Sequence, residues 1–226
     1  MKDLNKKSFG SLFFLLLVMG ALLFLPAWTF NYWQAWAFLV VFGVSALAIT
    51  LYLMKKDSKL LERRVHAGPT AEKETSQKII QSITALGFMA MLVLPALDQR
   101  FHWWPAVPFF ASVAGDVLVA IGFLIIFFVY KENTFASATI EVYPDQKVVS
   151  SGLYALVRHP MYMGGFVFFV GTSLSLDSWW GLFAFLLMMP AFIWRIFEEE
   201  GFLLKSLPGY AEYKKKVRHR LVPFIW

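Results

Sequence analysis

Ionisable side chains stand at both ends of one long apolar stretch. Arg158 and His159 lie at its entrance, in the run SGLYALVRHPMYMGG, and Arg195 with Glu198, Glu199 and Glu200 lie at its exit. Pro160 suits the first position of a helix, where its missing N–H costs nothing. The free N–H groups of that first turn, beside Arg158 and His159, make an anion site for a carboxylate or a phosphate. The competing reading has Arg158 pairing with lipid phosphate and His159 capping the helix. Arg195 and Glu199 are four residues apart and share a helix face, although Arg before Glu is the weaker order for such a pair. Three consecutive glutamates project about 100° apart, so they cannot all serve one pocket. If the helix ends nearby, they also oppose its dipole. Arg195, the basic tail or a cationic ligand must offset that charge; the plainer reading is a solvated acidic patch neutralised by Lys214, Lys215 and Lys216.

The elements that must position these groups are membrane helices. Of the 226 residues 58% are hydrophobic, well above the 45–50% of an ordinary soluble domain. Apolar runs of roughly 20 residues recur, about the length that crosses a bilayer as a helix. The spacing predicts spans at 9–28, 33–54, 79–97, 107–130, 161–176 and 179–197, with Asp177 and Ser178 as the turn of the last hairpin. The first run is kept as a span rather than a signal peptide, because another apolar run follows at once and no cleavage site is clear. With six crossings, only Arg100 among the 21 Lys and Arg residues falls on the far side. That asymmetry makes the basic side, with both termini, cytoplasmic. The expected fold is therefore an all-α integral membrane protein, a multi-helix bundle of about six crossings (five if 161–197 is not a hairpin), with a cytoplasmic C-terminal amphipathic helix. One membrane domain covers 1–226, divided into N-terminal helices (1–130) and a core (131–226).

Trp28, Tyr32, Trp33 and Trp36, then Trp103 with Trp104 and Trp179 with Trp180, fall at the outer turns and read as an aromatic belt. The loop from Lys55 to Lys78 is mixed in sign and predicts a short surface helix explained by solvation and headgroup contact. The segment from Lys131 to His159 predicts an extended stretch near Thr139 to Tyr143 and a turn at Pro144 and Asp145. Past Pro208 and Gly209, a basic helix places Tyr210, Tyr213 and Val217 on one face, suited to lying against the membrane. Asp116 falls inside the fourth span, where a charge costs roughly 2.5–3.5 kcal/mol, so it should face the bundle interior as a polar tether. Gly164 and Gly165 permit close approach of a helix or a flat ligand, and helix packing is the commoner use. Met161, Met163, Met188 and Met189 read as packing residues.

Several chemistries are excluded. The chain has no cysteine, hence no disulfide, thiolate metal site or Cys nucleophile. His66, His102, His159 and His219 show no metal-ligand spacing. No G-x-G-x-x-G or Walker loop is present, so a nucleotide-like cofactor would bind within the bundle. The net charge of +6 is accounted for by the membrane topology, and no nucleic-acid partner is expected.

The order S-G-L-Y-A-L-V-R-H-P-M-Y-M-G, an apolar hairpin, R-x-x-E-E, then Y-A-E-Y-K-K-K-V and L-V-P-F-I resembles the isoprenylcysteine carboxyl methyltransferase family. The phospholipid N-methyltransferases share its RHPxYxG and glutamate-pair elements. The resemblance runs from near Asn133 to Trp226, and the first helices carry only a generic membrane signal. It implies methyl transfer from S-adenosylmethionine at the cytoplasmic face, with a lipophilic small-molecule or lipid substrate entering from the bilayer. It further implies that His159, Tyr162 and Gly164 line the cofactor pocket, that Arg158 shapes its entrance, and that Glu198 contacts the cofactor. Arg195 and Glu199 match positions at the reaction centre, and Tyr210 and Tyr213 would close over the cofactor. The tail reads S-L-P-G-Y where the prenylcysteine enzymes usually have F-G-x-x-Y, which implies a differently shaped lid.

The chemistry of these residues agrees with that role. S-adenosylmethionine carries a carboxylate for the Arg158–His159 end and cations for the glutamates. Transfer from a sulfonium needs an in-line nucleophile, so positioning supplies much of the catalysis. The acceptor can be a carboxylate, thiol or amine; Arg195 could orient a carboxylate through paired hydrogen bonds. The alternatives are an NADPH-dependent enzyme resembling sterol reductases, which needs a larger basic pocket, and a non-catalytic membrane module.

Overall fold

A backbone in lipid must satisfy its own polar groups, and the apolar runs do so as helices. The computed structural model describes residues 2–65 and 67–226. In chain order the helices are α1 (Lys2–Ala27), α2 (Trp33–Lys56), the short α3 (Ser58–Val65), α4 (Thr75–Phe101) and α5 (Phe109–Glu132). The irregular segment 133–159 follows, then α6 (Pro160–Ser175), α7 (Trp179–Ser206) and α8 (Tyr210–Lys216). Five of these, α1, α2, α4, α5 and α7, are long and apolar enough to cross a membrane. Phe13, Phe14, Val40, Val44, Leu86, Phe110 and Leu187 all point outward, an apolar exterior that suits lipid and not water.

The hairpin expected over 161–197 is present. α6 has 16 residues, about 24 Å of helix, and runs antiparallel beside α5. Its turn gathers with the other two turns at one end of the bundle. Tyr32 donates to the Leu176 carbonyl (2.6 Å), Gln34 to Asp177 (2.9 Å), and the Val107 N–H to Asp177 (2.6 Å). Ser178 donates to Asp98 at 2.6 Å. Tyr32 is thus fully buried as a tie between turns, unlike the exposed Trp28, Trp33 and Trp36 with which it was grouped. At the opposite end Leu4 packs beside Leu60, Tyr154 and Met161, so the start of α1 shares that end with α3 and the 133–159 segment.

Glycines set the closest helix pair. A Cβ at Gly171 would stand 2.6 Å from the Val119 nitrogen, and one at Gly122 would stand 2.7 Å from Phe168 Cβ. Gly164 likewise packs against the Gly122 carbonyl. These small residues let the α5 and α6 backbones touch, which fixes the height of Pro160 and of His159 before it. Ser175 donates to Asp116 across the same interface, the tether expected for that acid.

Two elements differ from expectation. α7 continues to Ser206, nine residues beyond the expected end at 197, because the polar run after Ile196 is still made of good helix formers. Its three glutamates therefore lie inside the helix and do not oppose a nearby C-terminal dipole. The stretch expected to run extended over 139–143 bends at 138–140 and closes on itself, with Ser137, Thr139 and Tyr143 donating to Glu141 (3.3, 2.7 and 2.7 Å). The turn at Pro144 and Asp145 is present, closed by the Gln146 N–H on the Tyr143 carbonyl (3.0 Å).

Candidate active site

The segment 133–159, the start of α6, the end of α7 and α8 enclose a cavity with about 870 Å³ of atom-free space, part of it open to solvent. Arg158, His159, Tyr162, Arg195, Glu199, Tyr210 and Tyr213 line it together with Asn133, Glu141 and Tyr154. Seven of the nine residues singled out in the sequence thus meet at one surface; Gly164 and Glu198 do not line it. Gly164 faces α5, as described above. Of the other histidines, His66 lies outside the described residues, His102 ends α4, and His219 packs on Phe224.

Rotation of α7 decides which glutamate does what. Glu198 turns toward α4, where Ser76 (2.7 Å) and Gln77 donate to it, and Trp194, one turn earlier on α7, donates to its other oxygen at 2.8 Å. Glu199 faces the cavity, and its Oε2 accepts from the Tyr162 hydroxyl at 2.7 Å. Glu200 is buried against the tail. Glu198, expected to contact the cofactor, thus stands on the α4 side and outside the cavity lining.

Arg195 is buried and almost fully engaged. Its Nε donates to the Tyr162 hydroxyl (3.0 Å), Nη1 to Gln77 (2.6 Å), and Nη2 to Glu72 (2.8 Å) and the Ala138 carbonyl (3.0 Å). A guanidinium has five N–H donors, so one, on Nη1, is left. That is one N–H fewer than the paired bonds to an acceptor carboxylate expected from the sequence would need. Arg195 and Glu199 are linked through Tyr162, which takes a hydrogen bond from one and gives one to the other. Glu72 also corrects the reading of the first loop as mere solvated surface. That loop reaches the site, and its Arg63 and Arg64 hold the carbonyls of Thr134 (2.6 Å) and Ser137 (3.0 Å).

The tail is fastened by Arg158 and Glu200. Arg158 Nε meets Glu200 at 2.7 Å, and its Nη1 donates to the carbonyls of Val217 (2.8 Å) and Arg218 (2.7 Å). His159 Nε2, Lys214 and Arg220 also surround Glu200, at 3.3, 3.1 and 3.4 Å. The N–H groups of Arg158 and His159 bond the carbonyls of His219 and Arg220 (3.0 and 2.9 Å). The His159 side chain does not cap α6. The apolar face of α8 does not lie on the membrane: Tyr210, Tyr213 and Val217 pack on Val142, Val148 and Tyr154, because the 133–159 segment offers a nearer apolar surface.

Electrostatics follow from this packing. Burial pushes the Tyr154 hydroxyl up to about 12. Burial, then the charges of Glu200 and Glu199, also raise Tyr210 well above the usual phenol range. Burial would raise Glu141, but its three hydroxyl donors outweigh that and hold its carboxyl below the usual range. The Tyr210 hydroxyl is buried without a hydrogen-bond partner among the described residues.

Comparison with known proteins adds a chemical context. The phospholipid methyltransferase family matches residues 110–208. A probable protein-S-isoprenylcysteine O-methyltransferase of Oryza sativa subsp. indica is 35% identical over 139 residues, spanning 59% of this chain and 68% of the rice protein. The protein-S-isoprenylcysteine O-methyltransferase B of Arabidopsis thaliana is 29% identical over 158 residues, 63% of this chain and 71% of that protein. The Schizosaccharomyces pombe protein-S-isoprenylcysteine O-methyltransferase is 37% identical over 75 residues, 32% of each chain.

Proposed function

The chain belongs to the isoprenylcysteine carboxyl methyltransferase family of membrane enzymes, and from that premise we propose that it transfers a methyl group from S-adenosylmethionine to a lipophilic carboxylic acid. The observation that carries the reading is one cavity in which Glu199, Tyr162 and Arg195 meet, at the end of an apolar bundle. Residues 131–226 form the cofactor-binding core, and residues 1–130 supply helices that frame it. The site lies at the cytoplasmic face, since the basic residues gather at that end. The acceptor enters from the bilayer.

The residues fit the cofactor. The Tyr210 hydroxyl is an orphaned polar group on the cavity wall. Glu199 Oε2 is occupied by Tyr162, and Oε1, which has no hydrogen-bond partner among the described residues, is left for a cation. When bound, S-adenosylmethionine supplies an electrophilic methyl group on a sulfonium. Tyr162 holds the Glu199 carboxylate in one orientation and ties it to Arg195. The free Nη1–H of Arg195 holds an acceptor carboxylate and presents its oxygen to the reacting centre, so catalysis is chiefly positioning. Arg158 and Glu200 keep Tyr210 and Tyr213 over the cavity, which limits water. The names of the relatives make S-isoprenylcysteine the first acceptor to test. Lys147, Arg158 and Arg195 are the Lys and Arg residues on the cavity wall, and the two arginines already have carboxylate partners, which leaves a dinucleotide phosphate chiefly Lys147.

Calorimetry on detergent-purified protein tests the reading. S-adenosylmethionine should bind, Glu199→Gln should weaken it, and NADPH should not bind. NADPH binding in place of S-adenosylmethionine would overturn the proposal. Methyl transfer to phosphatidylethanolamine, with none to N-acetyl-S-farnesylcysteine, would reassign the acceptor as an amine.

A further inference from the structure

Arg195 is the one buried cation whose orientation decides where an acceptor carboxylate would sit, and its own helix does not fix it. Two of its partners come from a part of the chain that precedes the family match at 110–208. Glu72 follows a turn made at Gly68, whose φ of 98° favours glycine. Its side chain is almost completely buried and meets Arg195 Nη2 at 2.8 Å. Gln81 of α4 backs it at 3.3 Å. Gln77, in the first turn of α4, is also buried. Its amide bridges two charges: Oε1 accepts from Arg195 Nη1 at 2.6 Å and Nε2 donates to Glu198. That arrangement leaves no choice of amide orientation, because the NH₂ must face the carboxylate and the oxygen the guanidinium. Neither Glu72 nor Gln77 lines the cavity.

We propose that Glu72 and Gln77 are positioning residues that lock the Arg195 guanidinium plane and leave its single Nη1–H for the acceptor, an inference that rests on the methyl-transfer reading of the site. With Tyr162 on Nε, Gln77 on Nη1 and Glu72 on Nη2, rotation about the last bonds of the arginine side chain is blocked from three directions. Glu72 also keeps a counter-charge beside a buried cation when no acceptor is bound. Glu198 acts in the same assembly through Gln77. The N-terminal helices are then part of the catalytic centre, and not only its anchor.

The test compares Glu72→Gln, Gln77→Leu and, as a control of equal charge change, the exposed Glu74→Gln. Each is assayed with and without Arg195→Lys, in proteoliposomes, on N-acetyl-S-farnesylcysteine. Glu72→Gln and Gln77→Leu should each lower kcat/KM for the acceptor by roughly tenfold or more, since misplacement of a catalytic group by about 1 Å has such effects. S-adenosylhomocysteine affinity by calorimetry should stay within about twofold, and Glu74→Gln should match the parent. Once Arg195 is lysine, Glu72→Gln should add little, because residues acting through one another are not additive. An unchanged kcat/KM in both variants, or equal losses with and without Arg195, overturns the proposal. If Glu72→Gln does not fold, Gln77→Leu, which removes no charge, carries the same expectation. A parent that transfers no methyl group sinks the methyl-transfer reading instead; positioning is then read from ¹⁵N-arginine NMR, where a slowly exchanging Arg195 Nε–H should be lost in Glu72→Gln. Its persistence there would contradict the proposal.

Discussion

Replacing Glu200 by alanine should loosen the tail more than any single change within α8. The carboxylate is buried and is met by Arg158 at 2.7 Å, Lys214 at 3.1 Å, His159 at 3.3 Å and Arg220 at 3.4 Å. Removing one partner of a buried pair costs about 3–5 kcal/mol, because the other charge stays behind uncompensated. The Arg158 side chain is 3% exposed and cannot recover its hydration in place. Lys214 and Arg220 are 35% and 25% exposed and can, so the lower end, about 3 kcal/mol, applies. For a chain of this size that corresponds to roughly 6–12 °C in Tm. The assay is thermal unfolding in detergent followed by tryptophan fluorescence. Limited trypsin digestion at Lys214, Lys215, Lys216 and Arg218 runs in parallel and should be faster in the variant. A Tm within about 1 °C of the parent, with unchanged cleavage of the tail, would refute the claim that Glu200 fastens it.

Three further outcomes are expected. Tyr162→Phe removes the hydroxyl between Arg195 and Glu199 and should lower kcat/KM for methyl transfer about tenfold or more, with a smaller change in Tm. Gly122→Val places a Cβ 2.7 Å from Phe168 Cβ and should cost about 1–3 kcal/mol or prevent folding, read by size-exclusion profile and Tm. Glu141 has a carboxyl held below its ordinary value of 4.5, so its contribution to the 137–143 segment is fully present above about pH 4.5 and is lost as pH falls through its depressed value. The fall in stability below pH 4.5 should therefore be shallower in Glu141→Gln, measured as Tm against pH.

The helices were readable because lipid imposes one signal, a run of apolar residues, and because Lys and Arg mark one end of each run. The turn at Asp177 was readable for the same reason, as a polar break in an apolar stretch. The end of α7 was not, since Glu198, Glu199 and Glu200 look like a membrane exit, whereas helix propensity carries the chain on to Ser206. The 100° spacing of the glutamates showed that they must separate. Which one faces the cavity depends on the rotation of α7, and that is fixed by Ser76 and Gln77 of α4. Glu72 and Gln77 carried no local signal at all. They lie 123 and 118 residues from Arg195 in the chain, within the run from Lys55 to Lys78, whose mixed charges resemble any solvated surface. For Tyr32, an aromatic at a turn suits a belt and a buried tie equally well, and only the nearness of Leu176 decides.

The most direct measurement is transfer of a tritiated methyl group from S-adenosylmethionine to N-acetyl-S-farnesylcysteine in proteoliposomes, read as base-labile methyl ester. Ester should form with the parent, be abolished by Arg195→Ala and be left intact by Glu74→Gln. Folded protein that binds no S-adenosylmethionine and forms no methyl ester, or ester formation indifferent to Arg195, would contradict the proposed function.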